Sequence, residues 1–459
     1  MNIKDTFVKY MEEAIGHENA LVAFSAFDKS SSTAVRYNPF KACRKMEGRT
    51  VQWAEHGVIL PERPVFTLDP LFHAGAYYVQ DSSSMFVGYA FRKMLEQVQK
   101  PVGRPLRVLD LCAAPGGKTT DLAASLRESL GDGFLLVANE VMKARVGILA
   151  DNVALWGDPN VVVTSDDPVA FGALPGFFDV IVTDVPCSGE GMFRKDEEAV
   201  QQWSEDNVSL CEARQRRILA DVWPSLREGG LLVYSTCTFN RRENDGNVDW
   251  IASELGAEVL TSDDILGGMP GVLKTERGYS LVPGHVEGEG QYCAALRKTG
   301  ADALVDAPVR MKKVSRQVKT SPVPEGLQSL MNVSVVFRTK GETITAVPEN
   351  VAPDVSRVED ALHVVAAGCA VGVVKGKDLV PDADLALSLI LSDGAYPSVE
   401  LDRQAALAFL HRDAQVFPES PKGYLLLKYD GLALGFVKNL GNRCNSLLPQ
   451  SRRIRMDIK

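Results

Sequence analysis

Val108-Leu-Asp-Leu-Cys-Ala-Ala-Pro-Gly-Gly-Lys118 decides how the chain is read. Leu106–Leu111 is a short apolar run, the size of a buried strand. A proline and two glycines then break it, and Thr119–Leu130 continues as a helix. Gly116 and Gly117 let backbone approach a ligand closely. The helix start behind them offers free N–H groups. An ordinary βα turn has the same parts, so the glycine pair alone is weak evidence. The next strand, Phe134–Ala138, adds weight: it runs on to Glu140, 23 positions after Gly117, where an acid suits a pair of ribose hydroxyls. The turn is not Gly-x-Gly-x-x-Gly. Nor is Gly117-Lys118-Thr119 preceded by the glycine a phosphate loop needs. A nucleoside without a pyrophosphate fits better, and S-adenosylmethionine is the leading candidate.

The alternation continues outward. A helix is expected over Lys143–Leu155, strands over Val161–Thr164 and Phe178–Thr183, a long helix over Asp206–Leu226 and a strand over Gly230–Ser235. Strands alternating with helices predict an α/β fold, a Rossmann-like doubly wound sheet with right-handed crossovers. Gly288–Arg297 is expected to close its edge. Asp166 and Asp167 follow the third strand; either is a candidate for an adenine amino group, and both also suit a plain turn. Before this region, residues 1–97 read as an α+β subdomain ending in a helix over Ser83–Gln97. The central domain is placed at 98–299. A basic linker and small α/β segment is placed at 300–380, and a β-rich region at 381–459. In these last two, strands are expected at Val333–Phe337, Thr343–Val347, Val371–Val374, Tyr424–Tyr429, Leu432–Lys438 and Ile454–Ile458, and helices at Ala383–Leu391 and Arg403–Arg412.

The bulk properties are those of a globular protein: 459 residues, 45% hydrophobic and 24% charged. The N-terminus lacks the apolar core of a signal peptide, and the longest apolar run, near Val364–Val374, is far short of the ~20 residues that span a bilayer. A cytoplasmic protein without membrane contact is expected. The eight cysteines include no Cys-x-x-Cys pair, so neither a zinc site nor any other metal is expected. A net charge of −9 argues against nucleic acid, yet local patches decide binding. Arg310, Lys312, Lys313, Arg316 and Lys319 form one cluster without an acid; Lys438, Arg443, Arg452, Arg453, Arg455 and Lys459 form another against Asp457 alone. A solvated face explains such runs as well as RNA does.

The chemistry sits at two further strand ends. The fourth strand ends in Thr183-Asp-Val-Pro-Cys-Ser-Gly-Glu-Gly191 and the fifth in Tyr234-Ser-Thr-Cys-Thr238. Both ends open on the ligand face of such a sheet, so Cys187 and Cys237 converge on one cleft. Carbon 5 of a pyrimidine is a poor nucleophile until a thiolate adds to carbon 6. An acid held at N3 would stabilise the charge that develops, and Asp184 is placed for it.

These strings resemble motifs I, IV and VI of the NOL1/NOP2/Sun family of RNA cytosine-5 methyltransferases. Asp69-Pro-Leu-Phe-His-Ala-Gly-Ala-Tyr-Tyr-Val-Gln-Asp-Ser-Ser-Ser-Met85 is similar to that family's segment before the catalytic domain. Gly288-Glu-Gly290 with Leu296-Arg-Lys298 is similar to its closing strand. The long C-terminus resembles the bacterial branch that acts on small-subunit ribosomal RNA. The resemblance implies Cys237 as nucleophile, Cys187 as the residue aiding release, and Asp184 between cytosine and cofactor. It implies an S-adenosylmethionine pocket lined by Cys112, Ala113, Ala114, Pro115, Gly116, Gly117, Lys118, Glu140 and Asp167. It also implies a PUA-like RNA-binding domain at the C-terminus. A flipped base requires single-stranded or loop RNA. Arg194 and Lys195 are candidates for a phosphate, and Tyr77, Tyr78 and Gln80 for seating RNA or for plain core. The expected partner is 16S ribosomal RNA or the small ribosomal particle, the expected state a monomer. Transfer RNA, an RNA-binding assembly factor and a small-molecule methyltransferase remain the alternatives.

Overall fold

The computed structural model describes residues 4–260, 262, 265–300, 323–376 and 378–458. The expected basic cluster Arg310–Lys319 lies outside them. A ten-stranded sheet forms the centre. Its parallel part is β1 (Leu106–Asp110), β2 (Phe134–Asn139), β3 (Val161–Thr164), β4 (Phe178–Asp184) and β5 (Leu226–Thr236), with helices α1 (Gly117–Leu130), α2 (Lys143–Trp156) and α3 (Glu205–Val222). Strand β6 (Gln291–Lys298) runs antiparallel to β5. The core order is β6-β5-β4-β1-β2-β3, so the chain reverses direction between β1 and β4. Ligands bind beyond the carboxyl ends of strands at such a point.

Period-two alternation builds both faces. Val108, Leu136, Val182 and Val233 join one core with the helix Met85–Gln97, α1 and α2. Leu109, Val137, Ile181 and Leu232 join another with α3, the helix Asp245–Glu254 and the helix α4 (Ala352–Ala361). Ahead of this domain lie the helices Asp5–Ile15 and His17–Phe27 and a four-stranded sheet. After it lie two more four-stranded sheets, one built on Val335–Lys340, the other on Gly423–Tyr429. Among the described residues no helix is long and apolar enough to cross a membrane.

Several expectations are corrected. The long helix stops at Val222, because Pro224 follows in a 3-10 turn and Leu226 already starts β5. The strand expected at Gly288–Arg297 is β6, but it is not an edge: Tyr279–Leu281 and then Leu273–Lys274 pair beyond it, all antiparallel, so the sheet is mixed. The helix expected at Ala383–Leu391 ends at Leu387. Ile454–Ile458 is not a strand; Ile454 is a core plug whose N–H donates to the Leu410 carbonyl. The apolar run Val364–Val374 is two strands in two sheets. Strand β7 (Val364–Ala367) adds to the central sheet beside β3, and Cys369–Lys375 belongs to the next. Gly368 makes the switch at φ +67°, where a Cβ would sit 2.2 Å from the Ala346 carbonyl oxygen.

Candidate active site

The glycine turn after β1 is braced from below. Gly116 has φ +113°, and no side chain caps α1, so its first N–H groups stay open to a ligand. A Cβ on Gly117 would lie 3.2 Å from the Tyr78 ring. Arg36, fully buried, donates to the Gly117 carbonyl (3.1 Å), to Thr120 Oγ1 (2.6 Å) and to Gln80 Oε1 (2.9 Å). Tyr78 and Gln80 therefore support the turn, and Tyr77 is core with its hydroxyl on Asp69 (2.7 Å). Of the two expectations for these residues, core packing is the one these contacts fit.

Above the turn a cleft of about 560 Å³ opens, within the usual size for a small-molecule site. Cys112, Ala114, Glu140, Asp167, Asp184, Cys187 and Cys237 all line it. Ala113 and Gly116 are buried behind, and Pro115 is exposed with its carbonyl accepting from Asn152 (2.8 Å). Glu140 directly follows β2; its Oε1 accepts from the Met142 N–H (2.8 Å) and Arg145 stands 3.5 Å from its Oε2. Asp166 and Asp167 part company. Asp167 faces the cleft, while the Asp166 carboxylate accepts the His363 N–H (2.7 Å). Asp110 Oδ1, at the end of β1, is buried with no hydrogen-bond partner among the described residues, while its Oδ2 accepts from Thr119 (2.6 Å). Burial pushes its carboxyl up to about 7. Burial likewise lifts the Cys112 thiol to about 12, so that sulfur is an inert lining group.

At the other end of the cleft the Sγ atoms of Cys187 and Cys237 are 2.9 Å apart. The hydrogen bond to Cys237, then burial, raises the Cys187 thiol well above its ordinary value, so Cys187 keeps its proton. Asp184 is tied at both oxygens: Lys118 Nζ donates to Oδ2 (2.8 Å), while Ser235 Oγ and Gln291 Nε2 donate to Oδ1 (2.9 Å each). Burial alone would raise Asp184, but Lys118, Gln291 and Ser235 outweigh it and hold the carboxyl below its usual range. It stays ionised and can only accept.

The two cysteine loops share a buried polar floor. Glu190 accepts from the Phe239 and Asn240 N–H groups and from Trp203 Nε1. Glu243 accepts from the Ser188 N–H (3.0 Å) and Gln215 Nε2 (2.7 Å). The Asn240 amide donates to both carboxylates, at 2.9 and 2.8 Å. Sequence reasoning missed Arg36, Gln291, Glu190 and Glu243. Only Glu190 left a trace, as the single charge in the strand-end loop Val185–Phe193; Glu243 follows Arg241 and Arg242 and reads as part of a charged turn.

Arg194 is corrected from phosphate holder to clasp. Its side chain is 8% exposed and donates to the Lys29, Ser30 and Gly288 carbonyls, with Glu289 at 3.7 Å. Lys195 is more open and lies 3.9 Å from Asp81. In the C-terminal basic stretch, Arg452 is half-buried and pairs with Asp384 (2.7 Å) and Asp151 (3.3 Å). Arg214 on α3, not singled out before, lines the cleft beside Pro186 and Cys187, is exposed, and makes no ion pair among the described residues.

A doubly wound sheet with an open glycine turn, an acid just after the second strand and a cysteine pair beside it defines a methyltransferase domain. The family model described as 16S rRNA methyltransferase RsmB/F matches it over residues 99–297. Models described as the N-terminal domain of 16S rRNA methyltransferase RsmF and the methyltransferase RsmF PUA domain match residues 3–82 and 396–454. Ribosomal RNA small subunit methyltransferase F of Shewanella loihica is 32% identical over 392 residues, covering 82% of this chain and 77% of that one. The Aliivibrio fischeri protein of that name is 27% identical over 98% of this chain and 97% of its own. For the Klebsiella pneumoniae one, at 39%, the match spans 51% of this chain and about half (48%) of that relative. A methyltransferase homologue from Pyrococcus horikoshii, solved by crystallography, superposes with a TM-score of 0.52 at 26% identity, over 64% of this chain and 95% of its own. The chain belongs to the ribosomal RNA small subunit methyltransferase F family.

Proposed function

We propose that this protein methylates carbon 5 of a cytosine in small-subunit ribosomal RNA, with S-adenosylmethionine as methyl donor. The observation that carries the proposal is the 2.9 Å contact between Cys187 and Cys237 at neighbouring strand ends, beside an ionised Asp184. The family's relatives carry names for this RNA class, and a PUA-type domain suits an RNA substrate.

The residues fit the donor. The uncapped start of α1 and the orphaned Asp110 oxygen suit its charged amino acid end; Glu140 and Asp167 suit its nucleoside. Bound there, it supplies an electrophilic methyl group. Cys237, as thiolate, adds to carbon 6 of the cytosine and makes carbon 5 nucleophilic. Asp184, fixed as an acceptor, takes a hydrogen bond from the exocyclic amino group, and Lys118 beside it is the donor for N3. This reverses the expectation of an acid donating at N3. Once carbon 5 is methylated, its proton passes to solvent water, the pair from that C–H bond re-forms the carbon 5–carbon 6 double bond, and the sulfur–carbon 6 pair returns to Cys237. Cys187, held protonated, donates to that departing sulfur.

The test uses purified protein, labelled S-adenosylmethionine and total bacterial RNA or small ribosomal particles. Label is expected in 16S RNA as 5-methylcytidine, absent with Cys237→Ala. Cys187→Ala is expected to accumulate a covalent protein–RNA adduct. Activity that survives Cys237→Ala but not Cys187→Ala would reverse the two roles; label in transfer RNA would replace the substrate.

A further inference from the structure

The family match for the catalytic domain ends at residue 297, yet one wall of its cleft is held by residues far beyond. The turn Ser165–Asp167 follows β3 and carries Asp167 into the cleft. On its inner side Asn139 grips it: Asn139 Nδ2 donates to the Asp166 carbonyl (3.0 Å), and the Asp166 N–H donates to Asn139 Oδ1 (3.0 Å). On its outer side the grip comes from β7. Val364 pairs with Thr164, the Ser165 N–H donates to the His363 carbonyl (3.0 Å), and the His363 N–H donates to Asp166 Oδ2 (2.7 Å). The clip is thus closed by two bonds, one in each direction, between His363 and the two residues just before Asp167.

What stands behind the clip is packed core. Val355, Val358 and Leu362, along α4 and its end, are buried in the same core as Leu109, Phe171 and Ile181. Arg107 at β1 makes a two-pronged ion pair with Asp354 on α4, at 2.9 and 2.7 Å. A turn held on one side only could swing; held on both, the backbone that carries Asp167 is fixed, and the Asp167 carboxylate itself accepts from the Val169 N–H (3.2 Å) with Arg217 at 3.5 Å.

We propose that residues 352–367 are part of the cofactor site, with Asp166 as a positioning residue that acts through the His363 N–H to aim Asp167 at the nucleoside. This rests on the reading of the cleft as the S-adenosylmethionine site. The segment that delivers the C-terminal PUA-type domain therefore also finishes the pocket of the catalytic one.

The test titrates the full chain with S-adenosylmethionine by calorimetry, as wild type, Asp166→Ala and Asp166→Asn, with the RNA KM and the melting temperature measured alongside. Asp166→Ala is expected to bind cofactor 5- to 10-fold more weakly, with an unchanged RNA KM. Asp166→Asn keeps an oxygen that accepts from His363 and is expected to restore wild-type affinity. Wild-type affinity in Asp166→Ala overturns the proposal. So does a loss shared equally by RNA KM, cofactor and melting temperature, which a general packing defect would give. If Asp166→Ala does not fold, amide exchange of wild type decides: cofactor is expected to slow exchange at 363–367, and no change there overturns the proposal. Wild type that binds no cofactor instead overturns the reading of the cleft, and this inference with it.

Discussion

Glu243 shows how much of this site is a matter of single side chains. It is fully buried and receives three neutral donors, while Glu190 shares the same asparagine. Burial, then the charge of Glu190, pushes its carboxyl from 4.5 up to about 7. Between those values the folded protein keeps a proton that the unfolded chain releases, so stability falls as pH rises through this window. The difference amounts to about 3 kcal/mol at most, and it is fully lost above about pH 7. Glu243→Gln is expected to gain stability relative to wild type between about pH 5 and about pH 8. Melting curves at both pH values check this; a constant difference would place the proton elsewhere. Asp184 lies a few residues away in space yet goes the other way, because Lys118 supplies the cation that Glu243 lacks.

The sheet separates stability from chemistry by strand end. At the cleft end, β1, β2, β4 and β5 deliver Asp110, Glu140, Asp184 and Cys237. At the opposite end Asp179 opens β4, wholly buried, accepting from Arg104 (2.7 and 2.8 Å), the Arg107 N–H (2.9 Å) and Arg227 Nε (2.7 Å). It ties the starts of three strands with one carboxylate. Asp179→Ala leaves two guanidinium groups without their acid and is expected to cost about 3 kcal/mol. Denaturant titration should show that loss while turnover per folded molecule stays at the wild-type level; a selective loss of turnover would contradict the separation. Elements with a clean period, such as β1, α1 and β3, were legible from their own residues. Strand β7 was not: its four residues read as one run with Cys369–Lys375, and only the close approach at Gly368 divides them.

Across the molecule, charge works against the proposed substrate. The chain carries −9, and its cleft holds Glu140, Asp167 and Asp184. RNA must therefore be met by cations placed locally. Arg145 and Arg217 at the cleft face Glu140 and Asp167, whereas Arg214 is unpaired among the described residues. Arg214→Ala is expected to weaken RNA binding about 5-fold and to reduce the slope of log K against log salt by about 0.7, with cofactor affinity unchanged. Filter binding over a salt series checks this; an unchanged slope would mean that no phosphate sits there.

Strand ends, the glycine turn and the two cysteines can be read from the chain because each depends on neighbours in sequence: a period of two, a break, a residue at the break. The convergence of Cys187 and Cys237 follows from that, since parallel strands put their carboxyl ends on one side. Arg36 beneath Gly117, Gln291 on Asp184 and His363 on Asp166 lie 81, 107 and 197 positions from their partners. Nothing periodic announces a group whose partner lies on a distant element of the chain. Those contacts exist only once the N-terminal sheet, the antiparallel strand β6 and α4 with β7 have docked, so the fold and the chemistry are local properties of the chain, and the aim of the site is a property of its packing.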